Sequence, residues 1–130
     1  MLFRSSSIST YGGGYFNGST AYLSIANNSA FNLGSNDFTI EAWVYITARS
    51  SSGSCFAGTW GASGRGWIWL CTATTLSFVY STNGTNETNA PAATYTVALN
   101  TWTHLAAVRS GNTITMYTNG TSVEIGRAHV

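Results

Sequence analysis

The most regular alternation of apolar and polar positions runs over Phe38–Ile46, FTIEAWVYI. Phe38, Ile40, Ala42, Val44 and Ile46 fall on one face, and Thr39, Glu41, Trp43 and Tyr45 on the other. A period of two is that of a strand with one face buried. The same pattern predicts strands over Trp102–Arg109 and Thr113–Thr118, joined by a turn at Ser110-Gly111-Asn112. Asn119-Gly120 opens a further hairpin turn. Shorter runs predict strands at Tyr22–Ile25, after the turn Asn17-Gly18, and at Cys55–Gly58 and Gly66–Cys71, on either side of the Gly-rich turn GASGRG. A turn at Thr72–Thr75 leads back into Leu76–Tyr80. Ser81–Thr94 is polar and holds Pro91, the only proline. It reads as a crossing loop, because apolar alternation resumes at Tyr95 and Val97. No segment has a helical period, and there is no internal repeat or domain boundary. Short strands punctuated by turn residues predict a two-sheet β-sandwich.

Composition narrows the function. The 130 residues suit one domain with a real core. Charged residues make up 7% and lysine is absent, so the clustered cations that neutralise phosphates are missing and nucleic acid is not an expected partner. No run of 18 apolar residues exists, so no membrane insertion is expected. Cys55 and Cys71 are too few for a disulfide framework and lack metal-ligand spacing. They flank the Gly-rich hairpin and would face each other if its centre were Ser63. Free buried thiols are the favoured reading over a disulfide.

Three stretches in order, YFNGSTAYLSIANNSAFNLGSNDFTIEAWVYI, GRGWIWL and LNTWTHLAAVRSGNTITMYTNG, resemble the laminin-G-like, concanavalin A-like jelly-roll family over Tyr15–Gly120. The resemblance implies an all-β fold of two antiparallel sheets packed face to face, lacking its last strands here. It implies a binding module at a cell or virion surface, of the kind found in bacterial surface proteins and phage tail or fibre proteins. Its expected partners are glycans or cell-surface polysaccharide, and neighbouring domains of a longer chain.

The two ends read as translated sequencing-library adapter. EIGRAHV followed by a stop is one frame of AGATCGGAAGAGCACACGTCTGA, with the first base of the Glu124 codon from the insert. MLFRS is GTGCTCTTCCGATCT with GTG as start. Residues 1–5 and 124–130 are therefore expected to be non-native, and residues 6–123 to be a partial domain. That segment is formally neutral, and the absence of a secretion signal before it carries no weight.

Candidate chemistry is sparse. Glycoside hydrolysis needs two carboxyls at a set separation. Between the ends only Asp37, Glu41 and Glu87 are acidic. Asp37 and Glu41 would lie roughly 13 Å apart on an extended chain, and Glu41 is on the solvent face. A hydrolase therefore ranks last, and the chain is expected not to be an enzyme. His104 has no nucleophile motif beside it and reads as a packed histidine. Family relatives often bind Ca²⁺, which remains open as a cofactor. Asp37 is the one weak metal-ligand candidate here, and its ordinary reading is a turn residue with Asn36.

Aromatic residues are the remaining handle, because sugar C–H faces stack on Trp and Tyr. Trp60 sits at the Gly-rich turn as a platform, and the planar fork of Arg65 beside it suits an acidic sugar. Tyr80, Asn83 and Asn86, with Asn89, border the polar loop. These residues form the expected ligand site. Trp43, Trp67, Trp69 and Trp102 are expected in the core.

Overall fold

The computed structural model describes residues 2–5, 12–26, 28–50, 53–61, 64–81, 84–85 and 92–127. Ten strands are present among them: β1 (Leu2–Ser5), β2 (Gly12–Tyr15), β3 (Phe38–Tyr45), β4 (Ser54–Gly61), β5 (Gly64–Cys71), β6 (Leu76–Tyr80), β7 (Ala92–Ala93), β8 (Trp102–Ser110), β9 (Thr113–Thr118) and β10 (Thr121–Arg127). A single 3-10 turn, Ser29–Phe31, is capped by the Asn28 side chain, which accepts from the Ala30 amide. The strands form two sheets, one of six in the order β10-β9-β8-β3-β1-β2 and one of four in the order β4-β5-β6-β7. All strand pairings within them are antiparallel. The all-β, two-sheet sandwich read from the sequence is the observed fold.

The alternating residues of β3 and β8 do what their period requires. Phe38, Ile40, Ala42 and Val44 meet the inward residues Leu105 and Ala107 of β8, with Ile114 and Met116 of β9 alongside. From the other sheet come Phe56, Trp69, Cys71, Leu76 and Phe78. Phe78 is the hub. Its ring lies 5.6 Å from Phe38 across the sandwich, 5.9 Å from Trp67 and 6.4 Å from Trp69. Full burial of such a side chain stabilises by about 1.5–3 kcal/mol.

The turn after β9 is legible in Asn119-Gly120. Both residues adopt positive φ, 49° and 79°, as a two-residue hairpin turn twisting with its strands requires. Asn119 also ties back to β8. Its amide donates to the His104 carbonyl, and its side-chain oxygen accepts from the His104 amide.

Several expectations need correction. Tyr22–Ile25 is not a strand, and Tyr22, Leu23 and Ile25 are 77, 82 and 79% exposed. Alternation alone does not make a strand; a hydrogen-bonded neighbour must lie beside it, and none does among the described residues. Trp43 and Trp102 are not core residues. They lie on the outer face of the six-stranded sheet, where Trp43 is 49% exposed and Trp102 stacks 5.6 Å from Tyr45. Trp69 is fully buried and Trp67 packs against the core, as expected. Tyr95 and Val97 pack on or in the core but belong to no strand.

The cysteines do not face each other. Cys55 pairs with Leu70, and Ser54 with Cys71. The hairpin tip pairs Gly61 with Gly64, half a residue off a centre at Ser63, and the ladder's two shifts, between Gly58 and Trp60 and between Cys55 and Ala57, cancel, so Cys55 stays one residue out of step with Cys71 and the two thiols take opposite faces. Both are free; Cys71 is buried and Cys55 is exposed rather than buried.

Candidate functional site

The Gly-rich hairpin is longer than the sequence suggested, with Gly61 opposite Gly64 at its tip. One step inward, Trp60 lies directly opposite Arg65, and the guanidinium carbon sits 5.3 Å from the indole centroid. Directly opposite residues of a ladder share a face, so the pairing follows from the register. Below them Gly58 allows the strands to close. A Cβ there would lie 2.7 Å from the Trp67 carbonyl oxygen.

Arg65 leads from this pair into a cleft between the sheets. The cleft holds about 240 Å³, and Phe31, Arg65, Trp67, Tyr80, Ser81 and Arg109 are among its lining residues. Three hydrogen bonds hold its rim. The Arg65 amide donates to the Gly84 carbonyl (2.9 Å), the Ser81 amide to the Gly66 carbonyl (2.7 Å), and the Gly84 amide to Ser81 Oγ (3.0 Å). The start of the polar loop is thereby fixed against β5. Trp67 forms an aromatic wall, stacked on Phe78, and its Nε1 donates to the Phe31 carbonyl at 3.2 Å. The volume is below the roughly 300–1,000 Å³ of enclosed small-molecule pockets, which suits one unit of a larger ligand.

Of the sequence-predicted residues, the structure brings Trp60, Arg65 and Tyr80 to one end of the sandwich. Arg65 and Tyr80 line the cleft, and Trp60 flanks it through Arg65. Tyr80 is buried, a wall residue rather than an exposed platform. Asn83, Asn86 and Asn89 lie outside the described residues.

Arg109 lines the same cleft and was not anticipated. Its signal is in the sequence: in TWTHLAAVR it shares parity with Thr103, Leu105 and Ala107, the inward face of β8. It is 4% exposed. Its Nε donates to the Gly111 carbonyl (2.9 Å) and its Nη1 to the Gly34 carbonyl (2.8 Å).

Asp37 and Glu41 are engaged elsewhere. Asp37 Oδ1 accepts from the Gly111 amide at 2.7 Å, fastening the β8–β9 turn rather than its own. Glu41 lies on the outer sheet face, 3.4 Å from His104 Nε2, and His104 packs 5.3 Å from the Trp43 ring. Neither lines the cleft. Glu87 lies outside the described residues. Among the described residues no group of three or more His, Cys, Asp or Glu side chains gathers. Asp37 with its single engaged oxygen does not supply the six to eight oxygens that calcium takes.

A second, wider depression of about 900 Å³ lies between the Phe16–Ile25 segment and β4, lined by Tyr22, Leu23, Ile25, Cys55 and Phe56 among others. No helix among the described residues is long and apolar enough to cross a membrane.

The laminin G 3 family model, described as the concanavalin A-like lectin/glucanases superfamily, matches residues 17–129. No curated protein and no solved structure matches the chain. With most of its length matched, the chain belongs to the concanavalin A-like lectin/glucanase superfamily.

Proposed function

We propose that this member of the superfamily is a non-catalytic binding module that holds a glycan at the Trp60–Arg65 end of the sandwich. The observation that carries the reading is the coupling of Trp60 to Arg65 at the mouth of a cleft walled by Trp67 and Tyr80. An indole and an aromatic wall offer apolar faces to sugar C–H groups, while Ser81 and the arginines offer hydrogen bonds to hydroxyls. The non-catalytic part of the reading is supported by the absence of a carboxylate from the cleft among the described residues, Asp37 and Glu41 being engaged outside it. In this reading the module works at a cell surface or on a virion fibre, as one domain of a longer protein. A printed glycan array probed with the whole chain and with Trp60→Ala tests it. The expected result is a defined set of glycans bound by the parent chain and lost in the variant, with both proteins folded by circular dichroism. An array silent for a folded parent chain would overturn it.

A second reading, a structural or protein-interaction module without sugar binding, is favoured by one observation. Tyr22, Leu23 and Ile25 expose an apolar run beside the wide depression on β4. It predicts a silent array together with association with a neighbouring protein domain.

A further inference from the structure

Arg109 carries its charge into the sandwich with no acid to meet it among the described residues. Its two hydrogen bonds go to the backbone carbonyls of Gly111 and Gly34. They engage two of the five N–H donors of a guanidinium. The remaining donors have no partner among the described residues. The nearby turn holds Asp37, but that carboxylate accepts from the Gly111 amide and makes no ion pair with Arg109. A buried cation without an anion is costly, and the cost falls when a carboxylate is brought to it. Arg109 lines the cleft, and Arg65 lines the same cleft from the opposite sheet. None of the described lining residues is acidic.

We propose that the cleft between Arg65 and Arg109 is a carboxylate-binding subsite, and that the glycan recognised by this module is an acidic one, a uronic or sialic acid. This rests on the glycan reading of the same site and names the class of sugar. The planar guanidinium fork matches a planar carboxylate, which separates this site from one built for a neutral hydroxyl group. Arg109 is fixed by its two carbonyls and supplies the rigid half. Arg65, held over the Trp60 ring, supplies the half that meets solvent. The sugar ring would rest against Trp67.

The test is an array that prints carboxylated glycans beside their own methyl esters and beside sulfated glycans, probed with the whole chain. The expected result is binding to carboxylated forms, about tenfold or more weaker to the esters, and weaker at higher salt. Arg65→Gln, at an exposed position, is expected to lose about tenfold. Arg109→Gln could unfold the β8–β9 corner, so Arg109→Lys, which keeps the charge without the fork, is measured with it and is expected to weaken carboxylate binding in a folded protein. Equal binding to acids and esters, or preference for neutral or sulfated glycans, would overturn the carboxylate subsite while leaving the glycan reading intact. A folded chain silent on the entire array would overturn both.

Discussion

Arg65 faces Trp60 across the β4–β5 ladder, with its guanidinium carbon 5.3 Å from the indole centroid. The pair stands one step from the hairpin tip, at the mouth of the candidate site. Inward of it β5 contributes Trp67 and Trp69 to the sandwich; outward of it Gly61 pairs with Gly64.

Because Trp60 is only partly buried, Trp60→Ala is expected to cost no more than about 1.5 kcal/mol of stability while reducing glycan affinity by about tenfold or more. Parallel thermal melts and binding titrations of parent and variant check the separation of the two effects.

Phe78 joins the two sheets through Phe38 and holds both Trp67 and Trp69. Phe78→Ala is expected to destabilise by about 3–5 kcal/mol. Urea denaturation reads this directly, as a lowered midpoint with an unchanged slope.

Gly58 sits against the backbone of β5, with the Trp67 carbonyl oxygen and the Ile68 Cα 2.7 and 3.0 Å from where a Cβ would be. Both are backbone atoms and cannot swing aside. Gly58→Ala is expected to destabilise by about 1–3 kcal/mol, and to disturb the Trp67 indole signal in an NMR spectrum.

The thiols differ in exposure, so Ellman's reagent is expected to react with one cysteine, Cys55, in the native protein and with two after unfolding. Desolvation, partial at Cys55 and fuller at Cys71, raises the pKa of both above that of an ordinary free thiol. The reaction at Cys55 should therefore keep accelerating above pH 9 rather than levelling there. The same shift fixes the sign of the stability change. The unfolded chain releases these protons first, so the contribution is full below about pH 9 and is lost as pH rises through the folded-state values.

Much of the fold was legible because its signals are local. The two-residue period placed Phe38–Ile46 and its partners Trp102–Arg109, and Asn119-Gly120 marked a turn whose positive φ values suit that pair. Tyr22–Ile25 carried the same period and failed, because pairing depends on what lies beside a strand and not on its own pattern. Cys55 and Cys71 were misjudged for a related reason. The hairpin is centred half a residue away from Ser63, with Gly61 opposite Gly64, and that difference in register sets Cys55 opposite Leu70 rather than Cys71. The site was half legible. Trp60 and Arg65 stood out by residue type at a Gly-rich turn, whereas Arg109 was hidden inside an ordinary strand, and only its inward parity among Thr103, Leu105 and Ala107 marks it.

The most direct measurement is chemical-shift mapping on the whole chain with the strongest array glycan. The side-chain signals of Trp60, Trp67, Arg65 and Arg109 are expected to move together and to saturate with one dissociation constant. Shifts confined to the outer sheet face around Trp43 and Trp102, with the cleft signals still, would contradict it.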